Sequence, residues 1–195
     1  GVSNVDAHAD VRPLGEDSRP HSGSPFRQVL EDRTLNVRGG SFVEFGLQSY
    51  AVAKSHAVYL AEKGAAIFWY DDVRERGFPC SLELAYQQAT QHRLPLFVSF
   101  DMDAVRSADA PGVSAPTPVG FSAEELCLAA RFFGKAPLTG ILDVAEVNPA
   151  FDLDGHTAKL AAVAIANFMA GLAQRPKSGQ QAGKYTADTR RSQRS

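Results

Sequence analysis

Two short acidic strings carry most of the chemistry in this chain. Asp6-Ala7-His8-Ala9-Asp10 and Ser99-Phe100-Asp101-Met102-Asp103 each sit where an apolar run ends, and together they offer four carboxylates and one imidazole. These are hard or borderline donors, better suited to octahedral divalent cations such as manganese than to a structural zinc. In a strand, alternate side chains point to one face. A strand reaching Asp10 would therefore turn Asp6, His8 and Asp10 to one side, where Asp101 and Asp103 could join them from a second strand end. Five such ligands suit two cations roughly 3.5–4 Å apart that share bridging carboxylates. The plainer alternative is that Asp6 and Asp101 only cap turns.

The elements that must position these residues read as an alternation of strands and helices. Apolar runs at Val2–Val5, Phe42–Leu47, Ala65–Tyr70, Leu96–Phe100 and Gly140–Val147 predict five strands. Helical patterns lie at Ala51–Glu62, Leu82–Gln91 and Ala123–Phe133, the last opened by a Ser122/Glu125 capping box. A final helix from Gly155 to Ala173 shows an inward stripe of Leu160, Val163, Ala164, Asn167, Phe168 and Leu172. Such alternation implies an α/β fold with a parallel sheet and helices on both faces. The Gly/Ser/Pro-rich stretch from Gly15 to Pro25 follows the first acidic string, where open α/β sheets bind ligands.

With 195 residues, 44% of them hydrophobic, the chain can bury a sizeable core. A net charge of -2 implies no global polyelectrolyte partner, so nucleic acid is not expected. The two cysteines, Cys80 and Cys127, are too few for a disulfide framework, which favours a reducing, cytoplasmic setting. No apolar run approaches the roughly 18 residues of a membrane span. We divide the chain at residue 175. Residues 1–175 form the domain, and 176–195 is a basic, Gly/Ser/Gln-rich tail expected to be disordered. The chain opens inside a predicted strand, so it reads as the carboxyl-terminal part of a longer protein.

Both acidic strings, followed by Asp143-Val144-Ala145-Glu146-Val147-Asn148-Pro149, resemble in order and spacing the later signatures of the ureohydrolases, the superfamily of arginase, agmatinase and formimidoylglutamase. The likeness runs from Val2 to about Ala173. The stretches His21–Gln28, Ala110–Pro116 and Phe45–Gln48 resemble the formimidoylglutamase branch. The resemblance implies a three-layer αβα sandwich with a parallel, arginase-like sheet, incomplete on its amino-terminal side. It implies two manganese ions, with one further ligand supplied from upstream. Asp6 and Asp101 would bridge them, His8 and Asp103 would complete one site, and Asp10 would bind the other metal. Asp10 and Glu146 would be the catalytic residues, with Glu146 facing the substrate's cationic amidine carbon. A homo-oligomer is also implied.

The implied activity is hydrolysis of a linear amidine, N-formimidoyl-L-glutamate to L-glutamate and formamide, in histidine degradation. That substrate carries two carboxylates, so its pocket needs a cation. Arg12 is the first candidate, as a fork on a carboxylate or as charge balance for the acids. Arg27 and Arg106 are weaker ones, and Ser22 and Gly23 are the expected loop contacts. Departures from the family pattern include Arg106-Ser107, where Asp-Pro usually stands, and Ser22-Gly23-Ser24, where arginases place a proton-shuttling histidine; His21 is the nearby candidate for that task. Two other readings stay open: an arginase- or agmatinase-type guanidine hydrolase, and an inactive fragment acting only through binding. A metallophosphoesterase would need a later Gly-Asn-His, and none occurs.

Overall fold

Five short strands rich in β-branched and aromatic residues pair in parallel, as their near-continuous apolar runs require. They are β1 (Val2–Val5), β2 (Phe42–Leu47), β3 (Ala66–Trp69), β4 (Leu96–Asp101) and β5 (Thr139–Ala145). The computed structural model describes residues 1–35 and 37–175, so the expected basic tail at 176–195 lies outside the described residues. Helices α1 (Pro25–Glu31), α2 (Lys54–Lys63), α3 (Tyr70–Arg76), α4 (Phe78–Ala89), α5 (Ala123–Lys135) and α6 (His156–Leu172) complete an αβα layering. None of the described helices is long and apolar enough to cross a membrane.

The strand order is β3-β2-β1-β4-β5. From β1 the chain moves outward through β2 and β3, then returns past β1 to build β4 and β5 on the other side. That reversal opens a crevice at the carboxyl ends of β1 and β4, the switch point where doubly wound sheets place ligands. Both acidic strings start there.

One sheet face buries Val5, Val43, Phe45, Val98 and Phe100 beneath α3, α4, α5 and α6. The other buries Val2 and Phe42 beneath Phe26 of α1 and Leu60 of α2. The capping box is present: Ser122 accepts from the Glu125 amide, and the Glu125 carboxylate accepts from the Ser122 amide. β5 is an edge strand. Its Leu142 and Val144 pack inward, while Ile141 is 60% exposed on the opposite face.

Several expectations need correction. β1 spans Val2–Val5 as expected, and the extension to Asp10 that alternation would have needed is not made, so strand alternation does not bring the first string together. The seven-residue helices α1 and α3 were not predicted; each is too short to establish a period. In α6, Val163 is 50% and Leu172 39% exposed, contrary to the predicted stripe. The buried residues are Thr157, Leu160, Ala161, Ala164 and Gly171. α6 is apolar almost all round, so its period does not select one face. Close packing selects it instead. A Cβ on Gly134 would strike the Phe168 carbonyl, and one on Gly171 the Arg131 carbonyl, so the two glycines let α5 and α6 touch backbone to backbone. Arg175 locks the end of α6 by donating to the carbonyls of Gly134 (2.7 Å) and Thr139 (2.8 Å).

Candidate metal centre and active site

Beyond Val5 the backbone stays tied to β2, with the Asp6 amide donating to the Phe45 carbonyl (3.1 Å) and the Gln48 amide to the Ala7 carbonyl (2.9 Å). The side chain of Asp6 turns back on its own loop: Oδ1 accepts from the His8 amide at 2.7 Å. Asp101 does the same at the end of β4, accepting from the Asp103 amide at 2.9 Å and capping a 3-10 turn, Met102–Ala104. Both acids thus cap turns, as the plainer reading had it, but each cap uses only one carboxylate oxygen.

The other atoms converge. Asp6, His8 and Asp103 each offer a ligand atom within 4.8 Å of the others, and so do Asp6, Asp10 and Asp101. Asp6 belongs to both trios. Asp101 belongs to one, although the family resemblance implied a bridging role for it as well. His8 Nδ1 lies 2.9 Å from Asp103 Oδ2, while Asp103 Oδ1 is buried with no hydrogen-bond partner among the described residues. A buried acceptor without a donor inside an oxygen-rich cluster is what a divalent cation would satisfy. The residues present fit such an ion.

Electrostatics point the same way. Burial above all, with the neighbouring Asp103 and Asp10 charges adding, pushes Asp6 up to about 7. Burial pushes Asp10 to about 6, and burial with the Asp6 and Asp103 charges pushes Asp101 to about 10. His8 rises to about 10 because Asp103 accepts a hydrogen bond from its Nδ1 and the Asp6 carboxylate lies close beside the same nitrogen. Without a countercharge these acids hold protons that water would strip from them.

Above the cluster lies a cavity of about 110 Å³, lined by His8, Asp10, Arg12, Ser22, Gly23, Asp101, Asp103, Ser114, Ala115 and Glu146. Arg12, Ser22, Gly23 and Glu146, expected to meet the substrate, therefore all line it. Asp6 lies beneath. Asp10 and Glu146 both have positive φ, 45° and 62°, a conformation rare outside glycine and concentrated at functional sites. Glu146 directly follows β5 and Asp10 lies in the loop beyond β1, each at a point where the backbone re-aims a carboxylate. The loop that carries Arg12 closes at its neck, where the Arg12 amide donates to the Gly23 carbonyl (2.8 Å) and the Phe26 amide to the Asp10 carbonyl (3.1 Å). A Cβ on Gly23 would sit 2.7 Å from Arg12 Cδ, so glycine there lets the arginine stem lie flat along the loop.

Arg12 makes no ion pair among the described residues. The two weaker candidates are engaged elsewhere, Arg27 with Glu31 at 3.1 Å and Arg106 with Asp109 at 2.9 Å. His21 does not line the cavity; its Nε2 pairs with the Pro13 carbonyl at 2.9 Å. Sequence reasoning missed Ser114, whose hydroxyl donates to Glu146. It also missed Asn4 and Glu44, fully buried polar residues beneath Asp6. Their signal was a polar side chain in the middle of an apolar strand.

Residues 1–171 match the Arginase family. This chain belongs to that family. It is 33% identical over 171 residues to the formimidoylglutamase of Halalkalibacterium halodurans, covering 88% of this chain and 53% of that protein. The crystal structure of Trypanosoma cruzi formiminoglutamase with Mn2+ superposes with a TM-score of 0.85 at 38% identity, covering 90% of this chain and 57% of the other. The proclavaminate amidinohydrolase of Streptomyces clavuligerus is 30% identical over 160 residues, 82% of this chain and 50% of that protein. The chain thus spans about half the length of the arginase-family relatives it matches, and the arginase-like fold is shared over that span.

Proposed function

We propose that this chain is the metal-binding part of a hydrolase of linear amidines whose substrate is N-formimidoyl-L-glutamate, cleaved to L-glutamate and formamide. The observation that carries this reading is one buried carboxylate, Asp6, shared by two ligand trios under a cavity whose rim carries Arg12, an arginine with no ion pair among the described residues. The formimidoylglutamase relatives at 27–38% identity support the substrate. Asp6, His8 and Asp103 would hold one manganese ion, and Asp6, Asp10 and Asp101 the second. A bound cation pair acidifies water at neutral pH and offsets negative charge that develops during attack.

The remaining work falls to side chains of this chain. The Glu146 carboxylate, steadied by the Ser114 hydroxyl, pairs with the amidinium and sets its carbon over the cluster. Asp10 accepts the proton of the attacking water and returns it to the departing nitrogen, which leaves as the amine of glutamate. Arg12 binds a substrate carboxylate, with Ser22 and Gly23 closing the loop beside it. A guanidine substrate is the second reading, favoured by the likeness to proclavaminate amidinohydrolase. An arginine on the rim repels substrates with a cationic far end, so agmatine should be a poor substrate.

The test is formamide release from N-formimidoyl-L-glutamate by the Mn2+-loaded chain, set against urea release from arginine and agmatine. Formamide from the first alone supports the reading. Urea as the faster product would replace it with the guanidine reading, and tight Mn2+ uptake with neither product would leave a binding fragment.

A further inference from the structure

Across β1 and β2, Asn4 stands in register with Glu44, and both are fully buried. We propose that these two residues form a bracket that holds the Asp6 carboxylate in the orientation needed to serve two cations at once, with Asn4 as the positioning residue and Glu44 as its anchor. The inference rests on the metal-dependent reading above and deepens it.

The geometry is specific. Asn4 Nδ2 donates to Asp6 Oδ2 at 3.0 Å and to Glu44 Oε2 at 2.9 Å, using both amide protons. The other Asp6 oxygen accepts from the His8 amide. Each Asp6 oxygen is therefore pinned by one protein donor, and each keeps a lone pair free for a cation. A flipped Asn4 would aim its carbonyl oxygen at two carboxyl groups, so the network dictates the amide's orientation. The donor is also neutral. A lysine or arginine there would pin Asp6 equally well, but its positive charge would repel the cations.

Two atoms of the bracket remain without partners among the described residues, Asn4 Oδ1 and Glu44 Oε1, both buried. They are complementary. A single carboxyl proton on Glu44 Oε1 would donate to Asn4 Oδ1 and close a cyclic amide–acid pair with the existing Nδ2–Oε2 bond. Burial drives Glu44 well above its usual carboxylate range, which favours that proton. Closing the ring removes both orphans and fixes the plane of the amide. Fully connected buried networks of this kind fix a geometry, whereas half-satisfied ones are costly.

The experiment is Mn2+ titration followed by electron paramagnetic resonance on the 195-residue chain and its variants, with kcat and KM at saturating Mn2+. Glu44→Gln keeps an acceptor for Nδ2 and offers its own amide to Asn4 Oδ1, so its Mn2+ affinity should stay within about threefold of the parent. Glu44→Leu and Asn4→Ala should each weaken Mn2+ binding by about 10–100-fold with KM unchanged, as substitutions behind metal ligands do. Glu44→Asp, too short to reach Asn4, should weaken it in the same direction with less disturbance of the core, and it decides the matter if the larger changes do not fold. A folded Glu44→Leu or Asn4→Ala with parental affinity overturns the bracket, as does Glu44→Gln weakened as much as Glu44→Asp. A parent chain that takes up no Mn2+ overturns the centre and the bracket together. Mn2+ uptake without formamide release counts against the substrate alone, and the affinity pattern still judges the bracket.

Discussion

The two ends of the sheet make opposite use of the same strands. At the carboxyl ends, a cavity of about 110 Å³ is lined mainly by charged and hydroxyl groups above buried acids. At the amino ends, a larger groove of about 350 Å³ runs past Leu35, Val37, Pro95, Phe97 and Ile141, with Arg38 the one charged side chain among the described residues that line it. Size would favour the groove. Chemistry favours the smaller site, because burying several carboxylates costs free energy that only a countercharge offsets. Apolar surface left open at the rim of a parallel sheet needs no such explanation.

This contrast breaks if substitutions at the two ends behave alike. Asp101→Asn should abolish the proposed Mn2+-dependent hydrolysis while circular dichroism stays that of the parent, a loss well beyond the ~10–100-fold typical of residues behind the ligands. Retained turnover would remove Asp101 from the centre. Phe133→Ala, in the core between α5 and the sheet, should cost about 3–5 kcal/mol of stability in denaturant titration, with Mn2+ affinity intact in the folded fraction. It separates loss of fold from loss of site.

Arg12→Ala should raise KM for the proposed dicarboxylate substrate about 10–100-fold, the worth of a charge-assisted hydrogen bond, and leave Mn2+ content unchanged. Loss of metal instead would make charge balance its task. Proton linkage gives a smaller effect. Asp10 and Asp6 hold their protons more tightly folded, at about 6 and 7, than at their ordinary 3.8. The stability they contribute is therefore full below pH ~4 and lost as pH rises through 6 and 7. His8, raised to about 10, loses its share at higher pH still. The melting temperature in chelator should accordingly fall as pH rises from 5 to 8, and Mn2+ should remove the slope. A flat profile in chelator would mean the acids are not buried together. Ile141→Ser, at the apolar groove, should change stability by less than about 0.5 kcal/mol and leave Mn2+ binding and turnover alone.

How much was legible beforehand follows from locality. Strand cores could be read because parallel sheets demand continuous apolar runs, and both acidic strings because five metal-type donors in ten positions are improbable in any core. The route to convergence could not. Asp10 reaches the site through a left-handed backbone, not through strand alternation. Asn4 and Glu44 meet only once the β1–β2 register is known. Ser114 meets Glu146 only once the segment after β4 has folded back across the sheet end. The outward turn of Val163 and Leu172 was hidden because two glycines on different helices decide which side of α6 faces inward.

The central pairing has a kinetic corollary. β1 aligns Val2 with Phe97 of β4, so the two ligand strings become neighbours only after the chain between them has closed a long loop. Such non-local parallel pairing is intrinsically slow. A cation that binds only the closed arrangement draws the folding equilibrium toward it by mass action. During refolding, the rate of Mn2+ capture should therefore time the joining of β1 to β4, while helical signal returns earlier from segments whose contacts are local.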